Sequence, residues 1–253
     1  MTIPRGIQVS RGVTLQIPVG GLVVHQGVGR PNRMELRAVE LQLDTCVYWL
    51  EIAFEQLVGA EHERKLIEDH SLANAESEFD LDREFKCCVQ ATVAAATFFE
   101  ALHAAMSERD PSRQPRSRVN NGRRTARSAV VTEQLRRSFG LRKQGTANLR
   151  SVVGEVYRFR DAAVHPTSKF SQPLQHSYFP IMVERRFAMF TFEHSKMIVR
   201  AAIAFSKILP SRDLSRRPRA IQTFGAYLLQ VCAPLHAAWE DRYGALLEPP
   251  AAT

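Results

Sequence analysis

The chain has 253 residues, 45% of them hydrophobic and 24% charged. That composition excludes a disordered chain and suffices for a sizeable core. Lysine and arginine outnumber aspartate and glutamate by 34 to 26, for a formal charge of +8, which favours an acidic partner such as nucleic acid over a basic one.

Residues 1–12 lack the charged start and uninterrupted apolar run of a secretion signal, so a cytoplasmic location is expected. Val13, Leu15, Ile17 and Val19 alternate with polar or turn residues before Gly20-Gly21 and Leu22-Val23-Val24. This is the pattern of a short β-hairpin, read as an N-terminal appendage over residues 1–32. From residue 33 the period becomes helical, with Leu36, Leu43, Val47, Leu50, Phe54 and Leu57 on one stripe, which predicts the first long helix of a domain over residues 33–244. The polar residues 61–70 extend or follow it, and Asp80 or Asp82 can cap the next helix. There Leu81, Phe85, Cys88, Thr92, Ala95, Phe99, Leu102 and Met106 recur in steps of four and three, the seam of a helical bundle. Residues 87–106 are about long enough to span a bilayer. They carry Gln90, Glu100 and His103, so burial inside a helical protein is expected and no membrane span. Four cysteines, Cys46, Cys87, Cys88 and Cys232, match no zinc spacing or disulfide framework and read as reduced core thiols, with no metal or cofactor.

Residues 109–127 turn to Arg, Pro, Ser, Asn and Gly and predict a mobile loop. Its Arg116, Arg118, Arg123 and Arg124 are candidates for gripping an RNA backbone. A short helix over residues 128–139 ends at Gly140, and another begins near Thr146 with Leu149, Val153 and Val156 on its apolar face. Pro166, Pro173 and Pro180 fill the loop beyond it. Val183, Phe187, Phe190, Met197, Ala201, Phe205 and Ile208 predict one further long helix that stops before Pro210. A last helix over residues 219–243 contains Pro234, which should kink or break it, and residues 245–253 form a tail expected to be disordered. The fold class is therefore mainly α, a helical bundle.

One segment combines residues suited to chemistry: Tyr157-Arg158-Phe159-Arg160-Asp161-Ala162-Ala163-Val164-His165-Pro166. Arg160 falls on the stripe of Leu149, Val153 and Val156, where a charge is unusual unless its head is paired or turned into a cleft. Asp161 and His165 are four apart, so a carboxylate can orient the imidazole and favour its charged form. Pro166 disfavours helical geometry at His165, so the ring can project from a helix end. An imidazole transfers protons near neutral pH, and a guanidinium stabilises phosphate oxygens without a metal. Glu100 is a candidate acidic partner for Arg160. Arg158 is either a second phosphate contact or a surface salt bridge.

Arg160, the adjacent polar Asp161, and His165 after three more residues resemble the signature of the HEPN superfamily (higher eukaryotes and prokaryotes nucleotide-binding): Arg, four to six residues, His, often with Asn, Asp or His after the Arg. The order of long helices agrees with that family's bundle, whereas the N-terminal hairpin is not part of its pattern. The resemblance implies a metal-independent endoribonuclease of bacterial toxin or phage-defence type, with His165 moving protons, Arg160 clamping phosphate and Asp161 setting geometry. It also implies a homodimer with a composite site, and an antitoxin or a nucleotidyltransferase as a plausible partner. The alternative is a catalytically silent module that binds RNA, nucleotide or protein. Two further patterns fail. The glycines of residues 140–146 lack the P-loop lysine, and Leu66 stands where a zinc-protease helix beginning at His62-Glu63 needs its second histidine.

Overall fold

The computed structural model describes residues 13–25, 33–73, 81–115, 119–120, 123–165 and 172–247. The protein is mainly α-helical, with seven α-helices among the described residues, and divides into two units, Met1–Thr45 and Cys46–Thr253.

The N-terminal unit is a longer antiparallel ribbon than the local hairpin expected. Strands β1 (Val13–Gln16) and β4 (Glu40–Leu43) pair, as do β2 (Leu22–His25) and β3 (Arg33–Leu36). In the backbone register Leu15 is paired with Leu41 and Val24 with Met34. Leu36 and Leu43, read as the start of a helix, therefore belong to strands. Their spacing of seven fits either structure, and pairing with Leu22 and Val13 decides it. Gly20-Gly21 marks the break between the two ladders rather than a hairpin turn. Gly20 has φ +80°, and Gly21 O accepts from Arg37 N at 2.7 Å and Ala38 N at 3.3 Å. A Cβ at Gly21 would lie 2.8 Å from Ala38 O, so only glycine fits.

The second unit begins with α1 (Cys46–Ala73) and α2 (Asp82–Arg109). The polar residues 61–70 extend α1. Asp82 sits in the first turn of α2, where its charge suits the helix dipole, but no side chain among the described residues caps that end, and Asp80 lies outside them. Helix α2 packs against α1 and against α3 (Arg127–Phe139), α4 (Lys143–Val164) and α6 (Phe192–Ile208). It alone, among the described residues, is long and apolar enough by composition to cross a membrane. Here it is a central core helix, with Cys88, Thr92, Ala95, Phe99, Leu102 and Met106 buried as the seam predicts. Small residues allow α1 to lie close: a Cβ at Gly59 would stand 3.3 Å from Cys87 Sγ. Phe98, Phe99, Leu135, Phe139, Leu149, Ile203 and Trp239 are fully buried in the same core, each worth about 1.5–3 kcal/mol of burial. All four cysteines are free thiols.

Three further expectations need correction. The arginine-rich segment contains a 3-10 turn (Pro111–Arg113) and a pair of short strands, β5 (Val119–Asn120) and β6 (Arg123–Arg124). Buried Asp110 starts the turn by accepting from the Ser112 hydroxyl at 2.7 Å. The helix expected from Val183 onward is two: β7 (Leu174–Gln175) and β8 (Met182–Val183) pair, α5 (Arg185–Met189) follows, and the chain breaks before α6. The break arises because Thr191 is the N-cap of α6, accepting from His194 N. Buried Glu84 also takes the Phe192 N–H at 2.9 Å. Residues 245–247 are not a free tail, since Leu246 is buried and Arg200 donates to the carbonyls of Ala245 and Leu246. Residues 248–253 lie outside the described residues.

Pro234 does not break α7 (Arg219–Tyr243). It sits on the exposed side, so water can satisfy the carbonyl it frees.

Candidate functional site

Helix α4 ends at the motif. Leu149, Val153 and Val156 are buried, and the same stripe brings Arg160 to the junction of α2, α3 and α4. His165 is the C-cap residue, and its backbone N donates to Asp161 O at 3.0 Å. Its side chain is exposed. Pro166 lies outside the described residues.

Arg160 does what a charge on an apolar stripe must do. Its guanidinium lies 4.6 Å from the centroid of the buried Tyr157 ring. Nε and Nη2 donate to Asp161 Oδ1 at 3.0 and 2.6 Å. Nη1 stands 3.6 Å from Glu100 Oε1, an ion pair rather than a hydrogen bond. Its N–H groups therefore remain open to another acceptor, and the side chain keeps a quarter of its surface exposed. Asp161 thus holds Arg160, not His165 as its spacing suggested. The i,i+4 alignment exists only while the helix lasts, and it ends at His165.

Glu100 is the hub. Arg127, at the start of α3, grips it through Nε at 3.1 and 2.9 Å, and Arg127 Nη2 also lies 3.4 Å from His103 Nδ1. Burial is the largest influence on Glu100 and pushes its pKa up. Arg127, Tyr157 and His103 together outweigh it and hold the carboxyl below its ordinary value. Tyr157 is pushed up by burial and by the Glu100 charge. His103 is pushed down by burial first and Arg127 second, so it is neutral near pH 7.

Of the predicted residues, Arg160, Asp161 and Glu100 come together, with His165 at the adjoining helix end. Arg158 does not join them. It pairs with Glu155 on the exposed surface, the salt-bridge alternative. Arg123 and Arg124 form β6, while Arg116 and Arg118 lie outside the described residues. Arg127, His103 and Tyr157 are the residues that sequence reasoning missed. The available signal was helical spacing, with His103 three after Glu100 and Tyr157 three before Arg160. Among the described residues, no three His, Cys, Asp or Glu side chains gather as metal ligands. Comparison of the chain with known protein families, curated proteins and solved structures found no match, so the reading of this cluster rests on its own residues.

Proposed function

We propose that the chain is a HEPN-type endoribonuclease that cleaves RNA without a metal, as toxin or phage-defence enzymes do. The observation that carries the reading is the partly exposed Arg160, whose Nη1 is ion-paired with Glu100 at 3.6 Å without a hydrogen bond, at the same helix end as exposed His165. In the reaction the RNA 2′-oxygen attacks phosphorus, the 5′-oxygen leaves, and the products are a 2′,3′-cyclic phosphate and a 5′-hydroxyl. Arg160 stabilises the extra negative charge on the phosphorane oxygens, as a preorganised donor does. His165 transfers one of the two protons. Asp161 and Glu100 hold Arg160 in place from two sides, and Arg127 holds Glu100.

Five residues of regular helix turn about 140° around the axis, so Arg160 and His165 of one chain do not meet within α4. A homodimer that apposes two α4 ends completes the site, and RNA and a second copy are the proposed partners. An antitoxin or a nucleotidyltransferase is the proposed kind of regulator.

One observation favours a silent binding module: Asp161 is spent on Arg160, so among the described residues it does not orient the His165 ring. Incubating purified protein with tRNA and other defined RNAs in excess EDTA separates the two. Cleavage leaving cyclic phosphate ends supports the enzyme. Binding without cleavage across the panel supports the module.

A further inference from the structure

At the other end of α3 from Arg127, four arginines line one cavity of about 270 Å³: Arg113 from the 3-10 turn, Arg136 and Arg137 from the last turn of α3, and Arg217 from the loop before α7. Local folding explains how they meet. Gly140 ends α3 with φ +67°, and a Cβ there would collide with the Arg217 guanidinium. Glycine lets Arg217 lie across the helix end. Arg217 Nη1 then donates to Arg137 O at 3.2 Å, and Arg113 Nη1 reaches the same carbonyl at 3.5 Å. Arg137 Nη1 returns a bond to Arg113 O at 3.3 Å.

Capping accounts for only part of this. A helix C-terminus attracts a cation, yet four converge here, and capping uses a single N–H of Arg217. Two carboxylates oppose them. Glu133 holds Arg136 at 2.7 and 2.8 Å and Arg137 at 2.6 Å, while Asp110 holds Arg113 at 3.2 Å. Neither carboxylate pairs with Arg217. Four guanidiniums against two carboxylates leave two positive charges in excess around a concave surface. The side chains of Arg113, Arg136 and Arg137 each keep 37–38% of their surface exposed, so the forks are fixed at one edge and open at the other. Across Arg137 a second cavity of about 680 Å³ is lined by Ser112, Thr125 and Arg150 together with Glu133, whose charge is taken up by Arg136 and Arg137, with room for the body of a ligand whose charged group sits among the arginines.

We propose that this arginine cavity binds a multiply charged phosphate group. Planar forks pair with phosphate oxygens two at a time, and an excess of two charges suits a dianion better than a carboxylate. The site stands apart from the α4 motif: ten residues of α3 between Arg127 and Arg137 span about 15 Å. It does not depend on the ribonuclease reading. The phosphate can belong to a free anion or to an RNA chain, and the test distinguishes them.

The full-length chain is titrated with inorganic pyrophosphate by calorimetry, and with a single-stranded RNA by fluorescence anisotropy. Arg136→Gln and Arg217→Gln are each expected to weaken the bound species about tenfold or more, from the loss of charge-assisted hydrogen bonds. Arg185→Gln, which removes an exposed cation elsewhere, should leave it within about twofold. Phenylglyoxal labelling of the unaltered protein, read by mass spectrometry, requires no variant to fold: the ligand should protect Arg136, Arg137 and Arg217 but not Arg185. Saturable pyrophosphate binding controlled by these residues assigns a free anion, and RNA binding controlled by them without pyrophosphate binding assigns a backbone phosphate. Absence of both, or arginine labelling unchanged by either ligand, overturns the proposal.

Discussion

Two carboxylates on α2 each bind an arginine that lies against an aromatic ring or beside a histidine, yet they serve different ends. Glu84 binds Arg64 at 3.0 and 2.6 Å, Arg64 lies 4.4 Å from the Tyr178 ring centroid, and buried His176 is held below its ordinary pKa by burial first and Arg64 second. Glu100 repeats the set with Arg127 and Arg160, Tyr157 and His103. The difference is access. Arg64 and Glu84 side chains are 4% and 3% exposed, whereas Arg160 and Glu100 are each 25% exposed. Glu84 also caps α6, so its partners are all supplied by the fold. Glu100 is shared by two arginines, one of which keeps open donors. The same groups make a structural rivet where water is excluded and a candidate reactive site where it is not.

Breaking the sealed pair should have the largest effect. Glu84→Ala leaves Arg64 buried without its counter-charge and removes an acceptor from α6, and is expected to cost about 3–5 kcal/mol in urea unfolding. A loss below about 1 kcal/mol would show that the end of α2 opens to water readily.

Acid should weaken both ends, in two stages. His103 and His176 are held below 6.5 by burial, reinforced by Arg127 and Arg64 respectively. Below that pH the unfolded chain binds protons that the folded chain refuses, so stability, intact above 6.5, declines as pH falls. Glu133, held at about 2 chiefly by Arg136, and Glu61 follow. Burial pushes Glu61 up most, but Lys65, Arg242 and Tyr243 together bring it to about 2. Their contribution is complete above 4.5 and is lost from 4.5 toward 2. Urea midpoints taken from about pH 7.5 down to about pH 3 should therefore decline in both windows. A midpoint constant between pH 7.5 and 5 contradicts the histidine part.

Smaller effects sharpen the contrast. Glu100→Gln should change stability by less than about 1 kcal/mol, because its partners are partly solvated, while lowering RNA cleavage by loosening Arg160. Cys88, at the sealed end, has its thiol pushed up to about 12, chiefly by burial, so a thiol reagent near pH 8 should label half-exposed Cys87 first. Rapid native-state labelling of Cys88 would place the boundary of the sealed region elsewhere.

Much of the helical unit is legible in the sequence. The four-and-three seam of α2, the glycine end of α3 and the apolar stripe of α4 all follow from periodicity and capping, because neighbours along one helix decide them. Strands β3 and β4 do not. Leu36 and Leu43 keep helical spacing, and only pairing with residues up to thirty positions away shows otherwise. The break before α6 had its own sign in Thr191, an N-cap residue that the continuous apolar period masked. At the site, Arg160 announces itself as a charge on an apolar stripe. Arg127 reads as one more arginine of a polar loop, since its partner Glu100 lies twenty-seven residues earlier on a different helix.

The most direct measurement is the single-turnover rate of RNA cleavage in EDTA by Arg160→Ala and His165→Ala, with unfolding free energy and oligomeric state determined on the same samples. Each substitution should lower the rate by about 10²–10⁴-fold while stability changes by less than about 1 kcal/mol. Cleavage that persists unchanged in both variants, or that falls only in proportion to unfolded protein, would contradict a catalytic site at the end of α4.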